Sequence, residues 1–113
     1  MCADIFHRHN TSEPDWKQIK LDLVTAMGRR HMLLGWKLPK ERARSCRAEL
    51  PALGWIKFAM VGGIYRWATW CIGEGVKIYH RDELNNALDN LLTGLREIHF
   101  RLGHGIGHLD RFA

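Results

Sequence analysis

From Asp82 to Leu102 the apolar residues recur in a rhythm of fours and threes: Leu84, Leu88, Leu91, Leu95, Ile98 and Leu102. That spacing keeps one side of an α-helix apolar through nearly three heptads. Asp82 stands at an N-cap position, Glu83 adds negative charge to the first turn, and Gly103 is a natural stop. Ala87, Leu92 and Phe100 widen the seam beyond a strict two-position stripe. A seam of this width serves either a core within the chain or a surface for a partner or a second copy.

A second helical stripe is formed by Trp16, Ile19, Leu23 and Met27, with Ala26 beside it. Ser12 and Asp15 resemble a capping box, and Pro14 suits a first turn. The pattern predicts a helix starting near Ser12 and running on past a weak point at Gly28 to Gly35. Pro39 to Glu49 is short, charged and compatible with another helix, in which Ala43, Cys46 and Leu50 face the protein. Leu53 to Ile72 is the most apolar part of the chain and carries Trp55, Phe58, Tyr65, Trp67 and Trp70. It reads either as a buried helix, crossed closely at Gly62-Gly63, or as a β-hairpin turning there with Ile64 to Trp70 as its second strand. The poor alternation from Trp55 to Val61 favours the helix. Val76 to Tyr79 reads as an extended linker. The expected fold is therefore mainly α, a compact domain of three or four helices, with a short central β-hairpin as the alternative for one segment. One domain accounts for residues 1–113, with 1–11 as an arm and 103–113 as an irregular tail.

Charge adds a local feature. Between Arg29 and Arg47 stand seven basic residues and one acid, a net charge of +6, while the rest of the chain carries −1. The patch Arg29, Arg30, Lys40, Arg42, Arg44 and Arg47 suits nucleic acid, an anionic surface or an acidic protein. Cys2, Cys46 and Cys71 show no CxxC spacing and no secretory leader precedes them, which points to a cytoplasmic chain with ordinary thiols. The aromatic run approaches the length of a membrane span, but Lys57 and Arg66 lie inside it on opposite helical faces, so no membrane association is expected.

Candidate chemistry is sparse. His99, His104, His108 and Asp110 have the composition of a zinc site, but Gly103, Gly105 and Gly107 interrupt the helix such a site needs. Those glycines follow a helix, whereas a phosphate-binding loop follows a strand. Cys71 lacks a neighbour that would activate it. No catalytic residue, metal or cofactor is expected, and the chain is read as a binding protein rather than an enzyme.

With its length, its helix-rich pattern and the seam Leu84 to Leu102, the chain resembles the small bacterial anti-activators that antagonise LuxR-type quorum-sensing regulators in Pseudomonas. The resemblance implies a cytoplasmic homodimer that binds the ligand-binding domain of a LuxR-type transcriptional regulator and blocks its dimerisation. Small phage-encoded inhibitors resemble the chain almost equally. The expected function is inhibition of a target protein by direct binding through the leucine seam, with the basic patch orienting the partner. The competing expectation is a nucleic-acid-binding module using the basic segment 29–47.

Overall fold

The computed structural model describes residues 13–101, with side chains described as far as residue 98. It has an α+β architecture: helix α1 (Trp16–Arg29), strands β1 (Cys46–Leu50), β2 (Gly54–Val61), β3 (Ile64–Cys71) and β4 (Gly75–Tyr79), and helix α2 (Leu84–Arg101). The strands form one antiparallel sheet in sequence order, and both helices pack on the same face of it. This corrects the expectation of a mainly α, helical domain of three or four helices. Leu53 to Ile72 is not a helix but the β2–β3 hairpin. Pro39 to Glu49 is a turn leading into β1, and Val76 to Tyr79 is an edge strand rather than a linker.

The hairpin turns on Gly62 and Gly63, whose φ values of 64° and 86° are both positive, as the favoured two-residue turn requires. Counting outward from that turn sets the whole register, from Val61 opposite Ile64 to Gly54 opposite Cys71. The helix-facing positions alternate along the strands: Cys46 and Ala48 on β1, Ile56 and Phe58 on β2, Trp67 and Cys71 on β3, and Tyr79 on β4. They meet Leu23, Ala26 and Met27 of α1 and Ala87, Leu88, Leu91 and Leu95 of α2 in a single core. Trp16 seals one end of it, edge-on to Phe58 and Tyr65 at 6.0 and 5.8 Å between ring centroids.

Both helices differ slightly in extent from expectation. α1 is capped by Asp15, whose side chain accepts the Gln18 N–H, and ends at Arg29 rather than running on to Gly35. α2 starts at Leu84, with the Glu83 carbonyl accepting the Ala87 N–H, so the cap falls one residue later than Asp82. Asp82 instead faces the His80 ring at 3.4 Å. Ser12 and the Gly103 stop lie outside the described residues.

Arg30 clamps the two helices together. Its Nε donates to Asp89 at 2.7 Å, and its other nitrogens donate to Asn85 and to the Ala26 carbonyl. The Arg30 hydrogen bond holds the Asp89 carboxyl below its ordinary range. A folded value below the unfolded one, about 3.9, contributes stability above the unfolded value that is lost as pH falls through the folded one. The Asp89 side chain is 63% exposed, so the contribution is small. Thermal melts across pH should show the acid-side decline of wild type slightly flattened in Asp89→Asn, with little change near neutrality.

Candidate functional site

Strand alternation sends half of the sheet's side chains away from the helices, and among the described residues no helix or strand packs over them. Arg47 and Glu49 of β1 point to this open face, as do Trp55, Lys57 and Ala59 of β2. From β3 come Arg66, Ala68 and Trp70, and from β4 Val76 and Ile78. Trp55 and Trp70 are direct cross-strand partners on the two central strands, and both are half-buried. Toward the hairpin turn, the next row runs Arg47, Lys57, Ala68, Ile78, and the one beyond it pairs Ala59 with Arg66.

The face is polarised. Its β1–β2 side holds two of the three cations, and both cluster on one indole: the Arg47 guanidinium lies 5.0 Å and the Lys57 ammonium 4.9 Å from the Trp55 ring centroid. Such contacts orient the ring and leave the cation heads partly hydrated. Arg47 also lies 3.6 Å from Glu49. Arg66 is steadied by an Nε–H donated to the Val61 carbonyl. The β4 edge is apolar, with Val76 58% and Ile78 44% exposed.

The connection from α1 to β1 is basic too. Lys37, Lys40, Arg42 and Arg44 are all exposed on it. Two contacts hold this connection in place. Lys37 exchanges backbone hydrogen bonds with Glu49 at 2.7 and 2.9 Å, lining the outer edge of β1. The buried Lys20 ammonium donates to the carbonyls of Glu41, at 2.9 Å, and Ala43. A buried ammonium needs such acceptors, and here they are carbonyls that no strand uses.

The structure divides the residues singled out from the sequence. Of the leucine seam, Leu88, Leu91 and Leu95 are buried against the chain's own sheet. Leu84 and Ile98 are half-buried beside them, and Leu102 lies outside the described residues. Of the basic patch, Arg29 is exposed at the end of α1 and Arg30 is engaged between the helices, both in the helix layer. Lys40, Arg42 and Arg44 sit on the connection, and Arg47 alone reaches the open face. Trp55, Lys57, Arg66 and Trp70 were missed as site residues. The signal that finds them is the Gly62-Gly63 turn, because counting outward from it brings Trp55 opposite Trp70.

Two other features stand out among the described residues, a groove and two thiols. An open groove of about 510 Å³ runs between α1 and the start of α2, lined by Ile19, Asp22, Arg29, Trp67, Arg81 and Asn85 among others. The Trp67 indole N–H at its floor is already donated to the Arg81 carbonyl. Burial pushes the Cys46 thiol up to about 12 and raises Cys71 as well, with Glu74 adding to the effect, so neither presents a thiolate near neutrality. Among the described residues no three His, Cys, Asp or Glu side chains are grouped to hold a metal, and no helix is long and apolar enough to cross a membrane. The His104, His108 and Asp110 cluster and the three tail glycines lie outside the described residues, as does the His99 side chain. Comparison of the chain with protein-family models, with curated proteins and with solved structures gave no match.

Proposed function

We propose that the protein is a nucleic-acid-binding module that works through the open face of its sheet. One observation carries this reading: a cross-strand tryptophan pair on the central strands, bordered by Arg47, Lys57 and Arg66. Aromatic rings supply a platform for bases and cations a track for phosphates. Lys40, Arg42 and Arg44 of the connection add further exposed positive charge. The leucine seam offers less to a partner, since its central residues are buried.

The test is a fluorescence-anisotropy titration of a labelled oligothymidylate at several salt concentrations. Three phosphate contacts give a slope of log K against log salt of about −2 for a single strand, and recruitment of the connection steepens it toward about −4. No measurable binding at low salt, or binding insensitive to salt, would overturn the reading.

A second reading is favoured by a different feature, the exposed Val76 and Ile78 beside Trp70. An apolar patch of this kind suits a protein surface. It would serve the inhibitory binder that the anti-activator resemblance implies, a cytoplasmic homodimer holding a LuxR-type regulator. Ile78→Asn, which makes the patch polar without adding charge to the face, discriminates between the two. It abolishes dimerisation, followed by light scattering, if the apolar patch is the interface. It leaves the oligonucleotide titration unchanged if the cation-bordered tryptophans are.

A further inference from the structure

We infer that the form of nucleic acid this face takes is a single strand, with neighbouring bases stacked on Trp55 and Trp70 and the phosphates carried across Arg47, Lys57 and Arg66. The inference rests on the proposed reading and specifies its ligand. Three features of the fold support it.

The first is shape. Four strands spaced by about 4.8 Å place β1 and β4 roughly 14 Å apart before side chains are added, whereas the major groove of a B-form duplex is about 12 Å wide. The face is too broad to enter the groove flat, and a duplex laid across it keeps its bases stacked away from the indoles.

The second is where charge is lacking. Duplex readers commonly insert a helix. The exposed side of α2 carries Asp89 and Glu97 with a single described cation, Arg96, among Asn85, Asn86 and Asn90, and carboxylates there repel phosphate. The exposed side of α1 mixes Glu13, Asp15 and Asp22 with Lys17 and Arg29. Neither helix offers a uniformly basic surface, and the open sheet face does not need one of them.

The third is the order of side chains on the sheet. The three cations come from three successive strands and all lie on the turn side of the tryptophan pair. A sugar-phosphate chain crossing the strands from Arg47 to Arg66 therefore runs beside the indoles, and as its phosphates draw the Arg47 and Lys57 heads off the Trp55 ring its bases can stack there and on Trp70. Cross-strand partners have Cβ atoms about 5 Å apart, so the two indoles serve neighbouring bases. Every base has a π face, so the interaction is tolerant of sequence.

The experiment compares three probes of equal length by anisotropy: oligothymidylate, an abasic oligonucleotide with the same phosphates, and a duplex. Wild type is expected to prefer oligothymidylate. Trp55→Ala and Trp70→Ala should each weaken that probe about tenfold, with no change for the abasic chain, and Trp70→Phe should retain most of the affinity. Thermal melts verify that each variant is folded, and Trp70→Phe serves if an alanine variant is not. Equal affinity for the abasic chain, tighter binding of the duplex, or equal displacement of the oligonucleotide by polyglutamate would each overturn the inference while leaving an anion-binding face. Failure of all three probes to bind wild type would instead overturn the proposed function itself.

Discussion

Leu91→Asp is expected to unfold the protein, not merely to disable a surface. Leu91 is 2% exposed and lies in the core that α2 shares with the sheet. Truncating a buried leucine costs about 2–5 kcal/mol. An aspartate there adds a carboxylate with no partner, worth several kcal/mol more even after the group protonates. The total is comparable with the whole stability of a small domain, about 5–15 kcal/mol. Circular dichroism at 25 °C should show loss of the native signal, and urea titration should show no native baseline. Thr93→Ala, on the exposed side of the same helix, should stay within about 0.5 kcal/mol of wild type. A Leu91→Asp protein that melts like wild type would show that the seam is not core. The result bears directly on function: loss of partner binding in Leu91→Asp would report unfolding and could not be credited to an interface.

Gly54→Ala should produce the next largest loss, about 2–3 kcal/mol. The reason is space. A Cβ on Gly54 would stand 2.8 Å from the Trp70 carbonyl oxygen, 3.3 Å from a Leu91 methyl and 3.5 Å from a Leu95 methyl. The carbonyl belongs to β3, and Gly54 is paired on both sides, with Leu50 and Cys71, so the backbone cannot yield without disturbing the ladder. Relief from a less flexible unfolded chain, about 0.4–1 kcal/mol, offsets only part of this. For a domain of this size the melting temperature should fall by roughly 8–13 °C, measured by calorimetry. Gly94 makes a useful contrast. Its added Cβ would press chiefly on the flexible Glu74 carboxylate and come within 3.0 Å of the Cys71 sulfur. Ala also gains about 1 kcal/mol of helix propensity over Gly. Gly54→Ala matching wild type would mean that the β2–β3 ladder, as well as α2, yields at this point without cost.

The helices were legible because each carries its environment in its own residues. Trp16, Ile19, Leu23 and Met27 pack against the sheet as their spacing indicates, and Leu84 to Ile98 do the same. The hairpin was harder for a reason that also explains the candidate site. Burial does alternate along β2, with Gly54, Ile56 and Phe58 inside and Trp55, Lys57 and Ala59 outside. Residue type does not alternate, because Trp55, Ala59 and Val61 on the open side are apolar too. A strand with an ordinary solvated face shows polar residues at every second position. Here the face is built of tryptophan, alanine, valine and isoleucine between cations, so the period-two signal is erased. The features that hid the strand are those on which its outer face is proposed to bind.

The sequence by itself determined two amphipathic helices and the concentration of positive charge between Arg29 and Arg47, and left Gly62-Gly63 open between a close helix crossing and a hairpin turn. The helices and the charge depend on local spacing and composition. Only the tertiary structure decided that the leucine seam closes on its own sheet, because burial depends on what packs opposite a residue and not on its spacing. Only the tertiary structure likewise divided the basic patch. Arg30 turns inward to Asp89, while Arg47 joins Lys57, Arg66 and two tryptophans drawn from other strands. A site assembled across neighbouring strands follows from register, and register is set by the turn and the core together.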